Sequence, residues 1–220
     1  MRRGAAILAL VFCVAAFAQG VHPVTGRQYA GVMNAGGAGW LSRPEREFEE
    51  QPDKAVDLLG LSKGMTVADI GCGSGYMTWR LAVCVGPHGK VYANDIQPKM
   101  LDLLRQNMQH RKLINVEPVL GTADDPKLPS GALDLALLVD VYHEFSEPQT
   151  MLRQIRESLK PEGRLVLLEY RAEDPTVPIR PEHKMTVAQV KAEVEPEGYR
   201  QDRVLEDLPR QHILIFRISQ

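Results

Sequence analysis

The chain has 220 residues, of which 44% are hydrophobic and 25% charged, with a formal net charge of −2. These are ordinary globular values, enough for one α/β core, and the near-neutral balance excludes the basic footprint of a nucleic-acid binder. The three cysteines form no metal-ligand spacing and no C-x-x-C-H, so no metal site is expected.

The first residues read as a leader. Met1-Arg2-Arg3 is basic, Ala5 to Ala16 is almost wholly apolar, and Ala16-Phe17-Ala18 has the A-x-A form of a cleavage site before Gln19. This predicts a cleavable signal peptide over residues 1–18 and export to the periplasm or medium. The apolar run is too short for a comfortable membrane span.

Residues 19–50 then read as an N-terminal arm. Asn34 to Trp40 is rich in glycine, and Ser42-Arg43-Pro44-Glu45 has the form of a capping box opening a short charged helix to Glu50. Two readings stand: a surface arm, or a lid with Trp40, Arg43, Arg46 and Glu47 pointing inward. The glycine cluster beside Trp and Arg favours the lid.

A single domain is expected over residues 51–220. Asp53 to Leu61 reads as a helix, and Ser62-Lys63-Gly64 turns into a strand, Thr66 to Ile70. A glycine-rich turn follows, then a helix from Tyr76 to Val85, stopped by Gly86-Pro87-His88-Gly89, where His88 should be solvated. Val91 to Asp95 is the second strand. Gln97-Pro98 opens a helix with an apolar stripe of Met100, Leu101, Leu104 and Met108. Val116 to Leu120 is the third strand, and Gly121 to Pro126 is a turn. Leu133 to Val139 is a continuous apolar run broken by Asp134, the pattern of a strand buried on both faces.

Asp140 to Phe145 follows that strand. Ser146-x-x-Gln149 has the form of a capping box for a helix carrying Leu152, Ile155 and Leu159, which Lys160 to Gly163 should end. The fifth strand, Arg164 to Tyr170, finishes in polar residues. Glu173 to Lys184 carries three prolines and should be a recognition loop near the site mouth. Thr186 with Gln189 is a third capping-box pattern. Tyr199 to Leu205 and His212 to Ile218 are the last strands, the latter antiparallel. Cys72 lies in the glycine turn and Cys84 about two helical turns beyond it, too far for a disulfide. Both read as small packing residues.

The chemistry is concentrated at the strand ends. Asp69-Ile70-Gly71-Cys72-Gly73-Ser74-Gly75 is a D-x-G-x-G-x-G run, and the second strand also ends in an acid, Asp95. A dinucleotide motif, G-x-G-x-x-G, would need a glycine where Tyr76 stands. The run resembles motif I of the class I S-adenosylmethionine-dependent methyltransferases, and the chain resembles their small-molecule type 11 group over about residues 51–170. The resemblance implies S-adenosylmethionine as cofactor and a three-layer Rossmann-like α/β fold, with seven strands in the order 3-2-1-4-5-7-6 and strand 7 antiparallel.

It also implies site residues. Asp69 with Gly71, Cys72, Gly73, Ser74 and Gly75 would hold the amino-acid end of the cofactor, and Asp95 the ribose. Ile96 would stack on the adenine, and Asp124, with Asp125 behind it, would accept from the adenine amino group. Asp140 closes the cofactor set. Ligands of open parallel sheets sit at the carboxyl ends of the strands, so Tyr142, His143 and Glu144 should face the transferable methyl, with His143 the candidate base and Glu144 or Glu169 its alternatives. The expected reaction is in-line methyl transfer to a small-molecule acceptor. Two other readings stand: a non-catalytic binding protein of this fold, motivated by export away from a cytoplasmic cofactor, and a nicotinamide-dependent dehydrogenase, which Tyr76 disfavours.

Overall fold

The computed structural model describes residues 20–219. The leader read from residues 1–18 therefore lies outside the described residues. In the arm, two short helices, α1 (Ala38–Leu41) and α2 (Arg46–Glu49), precede α3 (Pro52–Leu58). The domain then alternates strand and helix: β1 (Thr66–Ile70), α4 (Thr78–Val85), β2 (Lys90–Asp95), α5 (Pro98–His110), β3 (Val116–Leu120) and β4 (Leu133–Val139). After β4 come α6 (Pro148–Ser158), β5 (Leu159–Arg171), β6 (Lys184–Met185), α7 (Val187–Val194), β7 (Tyr199–Leu205) and β8 (Gln211–Ile218).

One sheet runs in the order β3-β2-β1-β4-β5-β8-β7, with the two-residue β6 paired to β5. This is the expected order, with β6 raising the last two strand numbers by one. The pairs from β3 to β5 are parallel, and β8 is antiparallel to both β5 and β7.

Strand periodicity divides the core. Ala68, Ile70, Ala136, Leu138, Leu165 and Leu167 face α6 and α7. Their neighbours Val67, Leu135, Leu137, Val166 and Leu168 face α3 and α4. Alternate side chains point to opposite faces of a strand, so strands covered on both sides are apolar throughout, as the β4 run foretold. The stripe Met100, Leu101, Leu104 and Met108 is buried as expected.

Several boundaries move for local reasons. Thr186 and Gln189 form the expected capping box. Ser146 and Gln149 do not: Pro148 takes the first turn of α6 and Glu147 becomes the N-cap. Proline's fixed φ suits that position, and Ser146 is left outside the helix. The box at Ser42 is also absent, because α2 starts at Arg46 with Glu45 as N-cap and no side-chain cap bond. The helix after the glycine turn begins at Thr78, not Tyr76, and β5 already begins at Leu159. Cys72 and Cys84, the cysteines among the described residues, are free, as expected. Among the described residues no helix is long and apolar enough to cross a membrane.

Candidate active site at the strand ends

The chain leaves β1 toward β2 on one side, while β4 lies on the other. That reversal opens a crevice above the carboxyl ends of the strands, and a cavity of about 590 Å³ lies there. The size falls within the roughly 300–1,000 Å³ of ligand pockets.

Its first wall is the glycine turn. Gly71 has φ +69°, and a Cβ there would lie 2.3 Å from Cγ2 of Val141. Only glycine lets the turn pass so close to the end of β4. The amide of Gly73 donates to Oδ2 of Asp95 at 2.9 Å, and that of Gln97 to Oδ1 at 2.8 Å. Each carboxylate oxygen keeps a lone pair for a ligand hydroxyl. Oδ2 of Asp69 accepts from the Thr78 hydroxyl at 2.5 Å. Burial pushes the Asp69 carboxyl up to about 6, against the pull of that hydrogen bond. Burial likewise raises Asp95, despite backbone donors that lower it. Ile96 lines the cavity with 41% of its surface exposed.

The second wall follows β4. Asp140 adopts φ +52°, a left-handed conformation uncommon for a non-glycine residue. It accepts from Nε2 of Gln211 at 2.9 and 2.8 Å and faces Nη2 of Arg46 at 3.5 Å. Burial first, then Glu50, hold its carboxyl well above the usual range, and Arg46 opposes them. His143 and Glu144 come from the single turn Tyr142–Glu144. Nδ1 of the buried His143 donates to Oε2 of Glu169 at 2.5 Å, and its Nε2 faces Nδ1 of His183 at 3.1 Å. Burial alone would lower the His143 pKa, but Glu169 overrides it and raises it. Burial brings Glu144 up to about 7.

The arm crosses the mouth. Arg27 forms a buried two-pronged pair with Glu193 of α7 at 3.1 and 2.9 Å and donates to the carbonyl of His143. Farther on, the carbonyl of Met33 accepts from Gln97 at 2.9 Å. Arg46 is buried, bonded to Glu50 at 2.7 Å and stacked on the Tyr76 ring at 4.4 Å. Glu47 accepts from the Tyr76 hydroxyl at 2.8 Å, and Trp40 lines the cavity. Arg43 turns instead to Glu49 and Glu50, above the Trp40 ring.

Most residues expected at the site are brought together: Asp69, Gly71, Cys72, Gly73, Ser74, Asp95, Ile96, Asp140, His143 and Glu144 all line the cavity. Three are not. Tyr142 faces the opposite side of the turn, buried under Arg27 and edge-on to Phe145, because successive residues of a tight turn point in different directions. Gly75 packs against Leu104 and Met108 rather than the cavity. Asp124 accepts from the Thr122 hydroxyl at 2.7 Å on the surface, and Thr122 and Ala123 line the cavity in its place. Tyr170 and His183 line the cavity as well. His183 lies in the loop expected at the site mouth, whereas Tyr170 was not foreseen as a site residue and only its place at the end of a parallel strand could have marked it.

The profile of a family described as "Methyltransferase domain" matches residues 61–205. The chain belongs to this methyltransferase family. It is 30% identical over 126 residues to a demethylmenaquinone methyltransferase of Lactococcus lactis, covering 57% of this chain and 49% of that protein. It is 33% identical over 116 residues to a ubiquinone/menaquinone biosynthesis C-methyltransferase of Escherichia fergusonii, covering 52% and 46%. The chain thus spans about half the length of these curated relatives. Among solved structures, a SAM-dependent methyltransferase from Aquifex aeolicus superposes with a TM-score of 0.81 at 28% identity, covering 86% of this chain and all of that one. A putative type 11 methyltransferase from Sulfolobus solfataricus, 18% identical with a TM-score of 0.64 over 78% of this chain and 94% of that one, shares the fold.

This methyltransferase fold implies S-adenosylmethionine as cofactor, and the residues present fit it. Asp69, Asp95, Asp140 and Glu144 line one cavity, and burial raises all four pKa values. Crowded buried carboxylates are relieved by a cation. An ammonium and a sulfonium supply that charge, Asp95 offers two acceptors to a diol, and Ile96 offers an apolar face to a base.

Proposed function

We propose that the protein transfers the methyl group of S-adenosylmethionine to a small, largely apolar acceptor with one polar end. The carrying observation is the cavity itself: three acidic groups, Asp69, Asp95 and Asp140, around a glycine turn on the cofactor side, continuous with a wall of His143, Glu144 and His183 on the other. The cofactor supplies an electrophilic methyl on sulfur, displaced in line by the acceptor's nucleophile. The chain's own part is positioning and exclusion of water. Asp95 and the glycine turn would fix the ribose and amino-acid ends. Asp69 would face the ammonium. His143, clamped by Glu169, would orient the acceptor, and the arm would close the mouth as a lid.

Phe145 and Ile179, which also line the cavity, would add apolar surface to the acceptor side. The names of the curated relatives make isoprenoid quinols and their precursors the first acceptors to try. Calorimetry with S-adenosylmethionine, followed by methyl transfer to an acceptor panel, tests the reading. His143→Ala should lower turnover and leave cofactor affinity nearly intact. A protein that does not bind S-adenosylmethionine would end the proposal. Export by the leader of residues 1–18 is part of it, and N-terminal sequencing from the native host should then begin near Gln19.

A further inference from the structure

Three possible ligands converge at the acceptor end from separate stretches of chain. His143 and Glu144 come from the turn after β4, and His183 from the turn Pro181–His183 before β6. One ligand atom from each lies within 4.8 Å of the other two, and all three residues line the cavity. The two imidazoles meet edge-on at 87°, with Nε2 of His143 and Nδ1 of His183 3.1 Å apart.

We propose that His143, Glu144 and His183 bind a divalent transition-metal ion of the zinc class, leaving a further position open toward the acceptor. The inference rests on the reading that this wall receives the acceptor. It extends that reading to a substrate class: molecules presenting a hydroxyl or thiol that can ligate the ion.

Three observations carry it. The donor set is right, because two imidazoles and one carboxylate suit zinc or ferrous iron and not calcium or magnesium. The spacing is right: two nitrogens about 2.0–2.1 Å from one tetrahedral ion lie roughly 3.3 Å apart, close to the 3.1 Å between these two. The Glu144 carboxylate offers an oxygen within 4.8 Å of both nitrogens.

The third observation is the support behind His143. Its Nδ1 donates to Oε2 of the fully buried Glu169, whose Oε1 accepts from the Tyr142 amide at 3.1 Å. This fixes the proton on Nδ1 and turns the Nε2 lone pair toward His183 and the cavity. A carboxylate behind a ligating histidine is the usual second layer of such sites. An open fourth position, as in catalytic zinc sites, would let the ion polarise an acceptor's hydroxyl or thiol.

The test is a titration of the full chain, dialysed against chelator, with Zn²⁺ by calorimetry and with Co²⁺ by visible absorption. One equivalent should bind, with the visible bands of a low-coordinate cobalt ion and without the charge-transfer band that Cys72 or Cys84 thiolates would add. His183→Ala and Glu144→Gln should each weaken Zn²⁺ binding at least tenfold, and Glu169→Gln by roughly 10–100-fold. Asp95→Ala should leave Zn²⁺ affinity unchanged while weakening S-adenosylmethionine. No saturable binding, or binding unchanged in His183→Ala, overturns the proposal. Cofactor binding without metal binding overturns the metal site and leaves the methyltransferase reading in place. Metal binding without cofactor binding does the reverse.

Discussion

The amide of Gly73 donates to Oδ2 of Asp95 at 2.9 Å, tying the turn after β1 to the acid that ends β2. One carboxylate thus shapes the glycine turn and presents acceptors to the cavity. Asp95→Ala should remove both functions. Hydrogen bonds to a charged group contribute about 1.5–3 kcal/mol, so affinity for S-adenosylmethionine should fall roughly tenfold or more. Calorimetry on a folded variant checks this, and unchanged affinity would remove Asp95 from the cofactor site.

Asp69 predicts a pH dependence. Its carboxyl is pushed from 3.8 to about 6 in the folded chain, facing Thr78, Asp95 and Arg46. The folded state therefore holds its proton more tightly than the unfolded state. The stability this contributes is present at low pH and is lost as pH rises from about 4 to about 6, by roughly 3 kcal/mol. Asp69→Asn should abolish that part of the slope in urea denaturation of the ligand-free protein. Cofactor affinity should run the other way in the wild type, rising across the same window as the carboxylate forms to meet the ammonium. Identical pH slopes in wild type and Asp69→Asn would contradict this account.

Arg46 joins the arm to the body. It lies 2.7 Å from Oε2 of Glu50 and 3.5 Å from Oδ2 of Asp140, almost fully buried. Removing one partner of a buried ion pair costs about 3–5 kcal/mol, and Arg46→Ala should cost that much at pH 7. The loss should shrink at acidic pH, where the raised carboxyl of Asp140 takes up a proton. Amide hydrogen exchange should show residues 30–50 opening first in this variant. Protection there equal to wild type would show that Arg46 does not hold the arm.

Gly75 separates packing from ligand contact. It has φ +91°, and a Cβ would sit 2.4 Å from Cδ1 of Leu104. Gly75→Ala should cost about 2–4 kcal/mol, from left-handed strain and overpacking together, and lower Tm by roughly 5–10 °C. Gly131, with φ +61° and open space around it, is the control: Gly131→Ala should cost only about 1–2 kcal/mol. Equal Tm shifts would refute the packing role.

The sequence by itself determined the framework. Apolar runs of strand length marked the central strands β1, β4 and β5, because parallel strands covered on both faces admit no polar alternation. The spacing of Asp69, Gly71, Gly73 and Asp95 marked residues that line one cavity together, because they sit in backbone turns and strand ends that local sequence encodes. With Tyr142-His143-Glu144, sequence marked a segment that reaches the cavity. Only the folded turn decided that His143 and Glu144 face the cavity while Tyr142 turns away under Arg27. Asp124 stands apart from the cavity lining for a similar reason: a local hydrogen bond from Thr122 satisfies it on the surface. The Glu169–His143–His183 line, the Arg46–Asp140 contact and the Arg27–Glu193 clasp were decided by tertiary structure alone. Their partners lie 26 to 166 residues apart in the chain, and no local periodicity records which distant side chains a parallel sheet will gather at its carboxyl edge.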